Sequence, residues 1–173
     1  NRALEKATSD WIFSIDSDEW IEAALREEIL SAIKNSSVTV FKMPRLNQYC
    51  GQWMRHGDVG KDKVTRLFKR GFAKFSNDIV HERILTTEKI GLLRTALCHD
   101  AYDSVEAILE RMNTYSTLSA QQRFARGKKT SILRAIFAAI WFFFRSYFLR
   151  AGFLDGKLAH HVFTLKFYPD RVG

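Results

Sequence analysis

An acidic segment near the start of the chain carries the residue types best suited to chemistry. Asp16, Asp18 and Glu19 place three carboxylates within four residues, directly after the apolar run Trp11–Ile15. The apolar run predicts a short buried strand. Oxygen ligands suit Mg²⁺ or Mn²⁺, which proteins bind through one or two carboxylates together with substrate phosphates. The alternative is a solvated turn whose acids cap the next helix, because acidic side chains stabilise a helix N-terminus.

A second group of polar residues follows a predicted strand, Val38–Met43, which we expect to end at Pro44. The group combines arginine, aromatic and amide side chains on a glycine-containing loop: Arg45, Asn47, Tyr49, Gly51, Trp53, Arg55 and His56. Guanidinium groups bind anions and aromatic rings stack on apolar faces, so such a loop suits a sugar or phosphate acceptor. The alternative is an ordinary polar surface loop.

A third candidate is the pair His81-Glu82, which follows the apolar residues Ile79 and Val80. A carboxylate or imidazole at a strand end is placed to deprotonate an acceptor hydroxyl as a general base. The alternative is a structural ion pair with Arg83. The preceding segment, Lys63–Arg70, predicts a strand with basic outer positions.

Charge is unevenly distributed along the 173 residues, whose formal net charge is +8. Residues 1–30 hold eight acids and three bases, whereas residues 120–173 hold ten bases and two acids. The acidic residues 1–30 and the basic residues 120–173, here called the basic tail, indicate two functions rather than one uniformly basic surface. Because the chain also lacks a recognisable nucleic-acid-reading motif, we expect no nucleic-acid partner.

The basic tail contains an aromatic, apolar segment. Ten uncharged apolar residues, Ala135–Phe144, lie between Arg134 and Arg145. A membrane-spanning helix needs about 20 apolar residues, so we predict a helix that lies in the membrane interface and is attracted by anionic lipids. The two arginines are eleven residues apart, so they share a helix face and can both reach the headgroups. The alternative is a buried core or oligomer-contact helix.

Apolar periodicity predicts two further helices, over Glu22–Lys34 and over residues 103–125. Cys50 and Cys98 lie far apart and form no Cys-x-x-Cys pattern. A reduced, cytosolic setting is therefore expected.

Several segments together resemble family-2 (GT-A fold) glycosyltransferases, and more narrowly the bacterial lipopolysaccharide-core and related cell-surface glycan glycosyltransferases. The resemblance begins with Asn1–Ile12 and the Asp-x-Asp segment Ile15–Glu19, and it continues in order to about residue 156. The later matching segments are Arg45-x-Asn47, Gly51-x-Trp53-x-Arg55-His56-Gly57, Arg66-Leu67-Phe68-x-Arg70, Val80-His81-Glu82, His99-x-x-Tyr102, Asn113-x-Tyr115-Ser116 and Gly152-Phe153-Leu154-Asp155-Gly156. Each segment alone is weak evidence for the family, whereas the complete set in this order is specific for it.

The resemblance implies an α/β fold, namely a partial GT-A (Rossmann-like) nucleotide-diphospho-sugar transferase fold with a helical C-terminal region. Residues 1–100 would be the C-terminal half of the catalytic domain. Residues 101–173 would be a helical, basic region that associates with the membrane surface. The donor-base half of the family fold is expected to precede Asn1, so we expect this C-terminal fragment to bind a donor poorly on its own.

The resemblance also implies an inverting glycosyltransferase that moves a sugar from a nucleotide-sugar donor to a lipopolysaccharide-core or other cell-surface glycan acceptor. Asp16 and Asp18 would hold Mg²⁺ or Mn²⁺ and the donor, with Glu19 as a supporting ligand and Arg66 near the phosphate. The general base would be Glu82, with His81 as a second candidate. Further residues would line the acceptor side: Arg45, Asn47, Trp53 and His56.

The same resemblance implies a location. The basic aromatic helix would hold the enzyme on the cytoplasmic face of the bacterial inner membrane, as a peripheral protein, where a lipid-linked glycan acceptor is presented. The alternative function is a non-catalytic membrane-surface binding module whose acidic turn is structural.

Overall fold

The computed structural model describes residues 2–76, 83–127 and 131–156. In chain order the helices and strands are α1 (Arg2–Lys6), β1 (Trp11–Phe13), β2 (Glu19–Trp20), α2 (Ala23–Asn35), β3 (Val40–Tyr49), β4 (Gln52–Met54), β5 (Lys63–Lys69), β6 (Lys74–Phe75), β7 (Ile84–Leu85), β8 (Ile90–Leu92), β9 (Leu97–Tyr102), α3 (Val105–Ala125) and α4 (Ile132–Phe144). Short 3₁₀ turns cover Val59–Lys61 and Gly152–Asp155, and a π-helix covers Arg145–Leu149.

The chain divides into two compact units. The first comprises Asn1–Leu46 and Asp62–His99, and the second comprises Asn47–Lys61 and Asp100–Gly173. Residues 47–61 therefore belong to the same unit as the residues that follow His99. The predicted division after residue 100, between a catalytic half-domain and a membrane-associating region, stays a prediction.

The first unit is built on β3. This strand pairs antiparallel with β5, with Val40 opposite Phe68, and parallel with β8, with Val40 opposite Ile90. β1 extends the sheet beyond β5, with Phe13 opposite Leu67. The sheet therefore mixes parallel and antiparallel pairs, and together with the helices it confirms the predicted α/β class.

Helix α2 covers this sheet. Leu25 and Ile29, four residues apart on one helix face, are buried in a cluster that includes Phe41 of β3 and Leu67 of β5. The predicted bounds, Glu22–Lys34, agree with the observed helix to within one residue at each end.

Strand β3 contradicts the prediction that Pro44 ends it. The strand continues through Pro44 to Tyr49. Pro44 lies opposite Lys63, the first residue of β5 and therefore the last pair of that ladder. Proline is tolerated at such a position, where a missing N–H donor interrupts no continuing ladder.

The second unit begins with a β-hairpin where the sequence predicted a loop. Tyr49 pairs with Gln52 across a two-residue turn, Cys50-Gly51, whose φ angles are 47° and 77°. Two successive positive φ angles are characteristic of the type I′ turn that favours tight hairpins. Helix α3 begins after Ser104, whose side chain accepts a hydrogen bond from the Ala107 N–H, and it confirms the helix predicted over 103–125.

Helix α4 confirms that the apolar part of the basic tail is helical. It continues through the π-helix, so that Ile132–Leu149 forms an apolar, mostly exposed helical segment of 18 residues. The segment is longer than the ten uncharged residues recognised in the sequence. By length and composition alone it reaches the lower limit for crossing a membrane.

Candidate functional site

The predicted acidic segment is organised by one buried carboxylate. Glu19 lies in β2 with its side chain completely buried. Its Oε1 accepts hydrogen bonds from Arg66 Nη2 at 2.7 Å and from Arg45 Nη1 at 3.2 Å, and its Oε2 accepts one from the Asp16 N–H at 3.1 Å. The Glu19 N–H in turn donates to the Asp16 carbonyl at 3.1 Å. Glu19 therefore closes the turn formed by residues 16–19, and its negative charge is compensated by two guanidinium groups.

Strand pairing brings the two arginines to this turn. Arg66 lies on β5, and its carbonyl accepts a hydrogen bond from the Ser14 N–H at 2.8 Å, just beyond the end of β1. Arg45 lies on β3 and also contacts Asp62, with Nε and Nη2 at 2.8 Å and 2.6 Å from Oδ2. Burial alone lowers the pKa of Arg45, but Asp62 and Glu19 outweigh it and raise that pKa overall. Arg45 is therefore a fixed positive charge between two carboxylates.

The two aspartates of the Asp-x-Asp segment are more open than Glu19. The Asp16 side chain is 58% exposed and accepts a hydrogen bond from Arg66. The Asp18 side chain is 36% exposed, and its Oδ2 lies 3.5 Å from Nε2 of His99, which is opposite Glu19 on β9. Burial and the charge of Arg45 lower the pKa of His99, although Asp18 and Glu19 oppose this effect.

The side chains of the acidic segment can be compared with the ligands that a divalent cation needs. Within residues 2–76, 83–127 and 131–156, no three His, Cys, Asp or Glu side chains lie close enough together to hold a metal ion. Asp16 and Asp18 are nevertheless carboxylates with accessible oxygens, and Mg²⁺ is commonly bound by one or two carboxylates plus substrate phosphates. The role of the two aspartates as ligands of such a cation stays a prediction, and one of them, Asp16, also contacts Arg66. The ligand role of Glu19 stays a prediction, and its carboxylate is already engaged by Arg45 and Arg66.

The four predicted acceptor residues are divided between the two units. Arg45 belongs to the cluster of charges described above. Asn47 is buried, and its Nδ2 donates to the Val59 carbonyl at 3.1 Å. Trp53 lies half-buried on β4, opposite Gln48. Among these four residues, Trp53 and His56 lie in the second unit and have partly exposed side chains.

His56 is held by a buried carboxylate that sequence analysis did not assign. The ring nitrogen Nδ1 of His56 lies 2.6 Å from Oδ1 of Asp155, and the backbone N–H of His56 donates a hydrogen bond to Oδ2 at 2.7 Å. The Asp155 side chain is 4% exposed, whereas that of His56 is 38% exposed. The available signal was the match of both the Arg55-His56-Gly57 and the Gly152–Gly156 segments to one family. Asp62 and His99 were likewise missed as partners of the acidic segment.

The predicted general base, Glu82, and the second candidate, His81, lie outside the described residues. Their roles stay predictions.

Comparison with known proteins identifies bacterial glycosyltransferases as relatives of this chain, which confirms the resemblance. The chain is 29% identical over 166 residues to an uncharacterized glycosyltransferase of Rickettsia prowazekii (strain Madrid E), covering 89% of this chain and 57% of that protein. It is 31% identical over 151 residues to the lipopolysaccharide core biosynthesis glycosyltransferase LpsC of Rhizobium meliloti (strain 1021), covering 84% of this chain and 55% of that protein. The chain thus spans just over half the length of the curated relatives it matches. No protein-family model matches it.

Proposed function

We propose that the protein is an inverting, metal-assisted glycosyltransferase that moves a sugar from a nucleotide-sugar donor to a lipopolysaccharide-core or other cell-surface glycan acceptor. The observation that carries the proposal is the similarity over 84% of the chain to a protein named for lipopolysaccharide core biosynthesis. The accessible Asp16 and Asp18 support it, since these residues form the Asp-x-Asp segment on which the resemblance is based.

On the donor side, Asp16 and Asp18 are the residues that would hold Mg²⁺ or Mn²⁺. The cation supplies charge neutralisation for a nucleoside diphosphate as it leaves. Arg66 is anchored on the buried Glu19 and contacts Asp16. We assign it to orienting Asp16 and to offering a positive charge to the donor phosphate.

On the acceptor side, Glu82 takes the proton of the acceptor hydroxyl, with His81 as the second candidate. The hydroxyl oxygen then attacks the anomeric carbon from the face opposite the diphosphate, and the bond from that carbon to the diphosphate oxygen breaks. The configuration at the anomeric carbon is inverted, because a single displacement occurs from the face opposite the leaving diphosphate. Trp53 and His56 are the acceptor contacts that this proposal favours, because their side chains are partly exposed.

A lipid-linked acceptor places this reaction at a membrane. We locate the protein on the cytoplasmic face of the bacterial inner membrane as a peripheral enzyme. The exposed apolar residues of Ile132–Leu149 support this location.

The test is calorimetric titration of UDP and other nucleoside diphosphates into the full-length gene product, with and without Mn²⁺. The Asp16→Asn/Asp18→Asn variant should lose the Mn²⁺-dependent binding. Asp10→Asn is the matched control, because Asp10 is an 81% exposed carboxylate of the same unit, 3.8 Å from Arg70. This control should bind like the parent.

The parent and its variants should then be assayed for sugar transfer from a panel of nucleotide sugars to lipopolysaccharide core. If the double variant binds as tightly as the parent, or no nucleoside diphosphate binds at all, the glycosyltransferase proposal is wrong. The acidic turn is then structural, and the non-catalytic membrane-surface module becomes the better description.

A further inference from the structure

The helical segment Ile132–Leu149 exposes a continuous row of apolar side chains, here called the apolar stripe. Its members recur every three or four residues: Leu133, Phe137, Ile140, Phe144 and Phe148. Phe137 is 70% exposed, and Trp141 beside the stripe is 56% exposed. Residues at this spacing lie on one side of a helix. The stripe is therefore a single apolar surface, and an exposed surface of this kind marks a site of interaction.

The other side of the same segment is packed. Ala139 and Ser146 are buried. Phe143 stacks on Tyr147 with ring centroids 5.2 Å apart and planes inclined by 12°, and both rings pack against the core cluster that contains Ile108. The segment is thus covered on one side and open on the other.

Its C-terminal end is tied to the loop that follows β4 by a polar network. Asp58 contacts both Arg145, with Oδ1 3.1 Å from Nη2, and Arg150. The Asp58 N–H donates to Ser146 Oγ at 3.0 Å, and the Gly57 N–H donates to the Arg150 carbonyl at 2.9 Å. The Asp58 side chain is only 16% exposed.

This network argues against a transmembrane helix. To cross a bilayer, the segment would have to leave the loop, and Arg145 would then enter the hydrocarbon without Asp58. An unpaired arginine in the hydrocarbon core is strongly unfavourable. An orientation parallel to the membrane leaves the network intact and places the stripe among the lipids.

The charges favour a lipid surface over a second copy of the chain. Arg126 and Arg134 are exposed near the start of the segment, and residues 120–173 hold ten bases against two acids. Two copies joined through the stripe would bring like charges together, whereas anionic headgroups complement them.

We infer that the apolar stripe docks on an anionic bilayer, with the segment lying in the plane of the interface and without crossing the membrane. This inference deepens the peripheral location in the proposed function. It fixes the side of the helix that enters the lipid and the residues that prevent insertion across it.

The experiment is co-flotation of the full-length protein with vesicles of phosphatidylcholine alone or mixed with phosphatidylglycerol. We expect binding to the anionic vesicles, and at least tenfold weaker binding of Phe137→Glu/Trp141→Glu, on the order expected for charges placed among lipids. Arg126→Gln/Arg134→Gln should bind about 30-fold more weakly, at about fivefold per arginine. Phe72→Glu is the matched control, because Phe72 is a 41% exposed aromatic residue of the first unit, and it should bind like the parent.

Two measurements test the alternatives to surface docking, namely a segment that spans the bilayer and a dimer formed through the stripe. Alkaline carbonate should release the bound protein, and retention after carbonate would mean that the segment spans the bilayer and would overturn the inference. Sedimentation velocity without vesicles should show no dimer that depends on Phe137 and Trp141. Such a dimer, combined with failure to bind vesicles, would also overturn it. Neither donor nor acceptor is needed, so this result and that for sugar transfer can fail independently.

Discussion

Arg66 and Glu19 form an ion pair in which Nη2 of the arginine lies 2.7 Å from Oε1 of a completely buried carboxylate. The same guanidinium group contacts the exposed Asp16. Arg66 of β5 therefore links the buried Glu19 of β2 to the solvent-exposed carboxylate of Asp16. The position of Asp16 consequently depends on Glu19, whose Oε2 also accepts the Asp16 N–H.

Replacing Glu19 by Gln should destabilise the protein by roughly 1.5–3 kcal/mol, the range for hydrogen bonds to a charged group, because Arg45 and Arg66 would keep only Asp62 and Asp16 as carboxylate partners. Arg45 and Arg66 would then face each other without the carboxylate that separates their charges. Urea denaturation gives the free energy of unfolding. Glu27→Gln is the control, since Glu27 is exposed on α2, and it should stay within about 0.5 kcal/mol of the parent. Equal stability of the two variants would show that the cluster contributes little.

The acidic segment shows what the sequence could and could not predict. The apolar run before Asp16 and the cluster of acids were visible in the sequence because both are local patterns. The class of fold followed from the family resemblance. The pairing of Glu19 with Arg45 and Arg66 depends on residues 26 and 47 positions away. No local pattern distinguishes such a partner from the other arginines of the chain.

The hairpin shows a different limit. Pro44 and the polar residues after it favoured a loop, yet β3 continues to Tyr49. Its continuation depends on pairing with β4 after the Cys50-Gly51 turn, which is a tertiary context that overrides local preference. Asp155 lies 99 positions from His56 in the sequence, so no local pattern pairs these two residues.

Glu28 should make stability depend on pH. Its carboxylate accepts hydrogen bonds from the N–H groups of Arg94 and Thr95, both at 2.8 Å, and so connects α2 to the turn before β9. Burial alone raises the pKa of Glu28, but these hydrogen bonds and the charge of Arg94 lower it overall from 4.5.

Because its folded-state pKa is lowered, Glu28 stabilises the protein fully above its unfolded-state pKa, and this contribution is lost as pH falls through the lower, folded-state pKa. In that interval the unfolded chain binds more protons than the folded one. Glu28→Gln should therefore be less stable than the parent at neutral pH, and the difference should shrink on acidification. Denaturation curves measured from neutral pH to below 4.5 test this. A difference that is constant with pH would contradict the role of the charge.

Gly91 allows a close approach between β8 and β3. A Cβ atom at this position would lie 2.8 Å from two ring carbons of Phe41 and 3.1 Å from Cγ1 of Val38. Gly91→Ala should therefore destabilise the protein by about 1–3 kcal/mol through overpacking. Thermal unfolding of Gly91→Ala, Phe41→Leu and the double variant forms a thermodynamic cycle. The double variant should be more stable than the sum of the single effects predicts, since the smaller side chain makes room. Strict additivity would show that the alanine is accommodated elsewhere.

Asp155→Asn should destabilise the second unit by about 1.5–3 kcal/mol, the range for hydrogen bonds to a charged group. The buried carboxylate accepts both Nδ1–H and the backbone N–H of His56, while the Asp155 carbonyl accepts a hydrogen bond from Gln52. An asparagine offers one neutral oxygen and one NH₂ group in place of two carboxylate oxygens, so both present hydrogen bonds lose the charged acceptor and one of them loses its acceptor atom. Hydrogen exchange should then be faster at the His56 N–H, and the free energy of unfolding should fall. Asp100→Asn, at an exposed aspartate on β9, should change neither quantity. Unchanged protection of the His56 N–H in Asp155→Asn would show that the loop after β4 is held by its other contacts, chiefly those of Asp58.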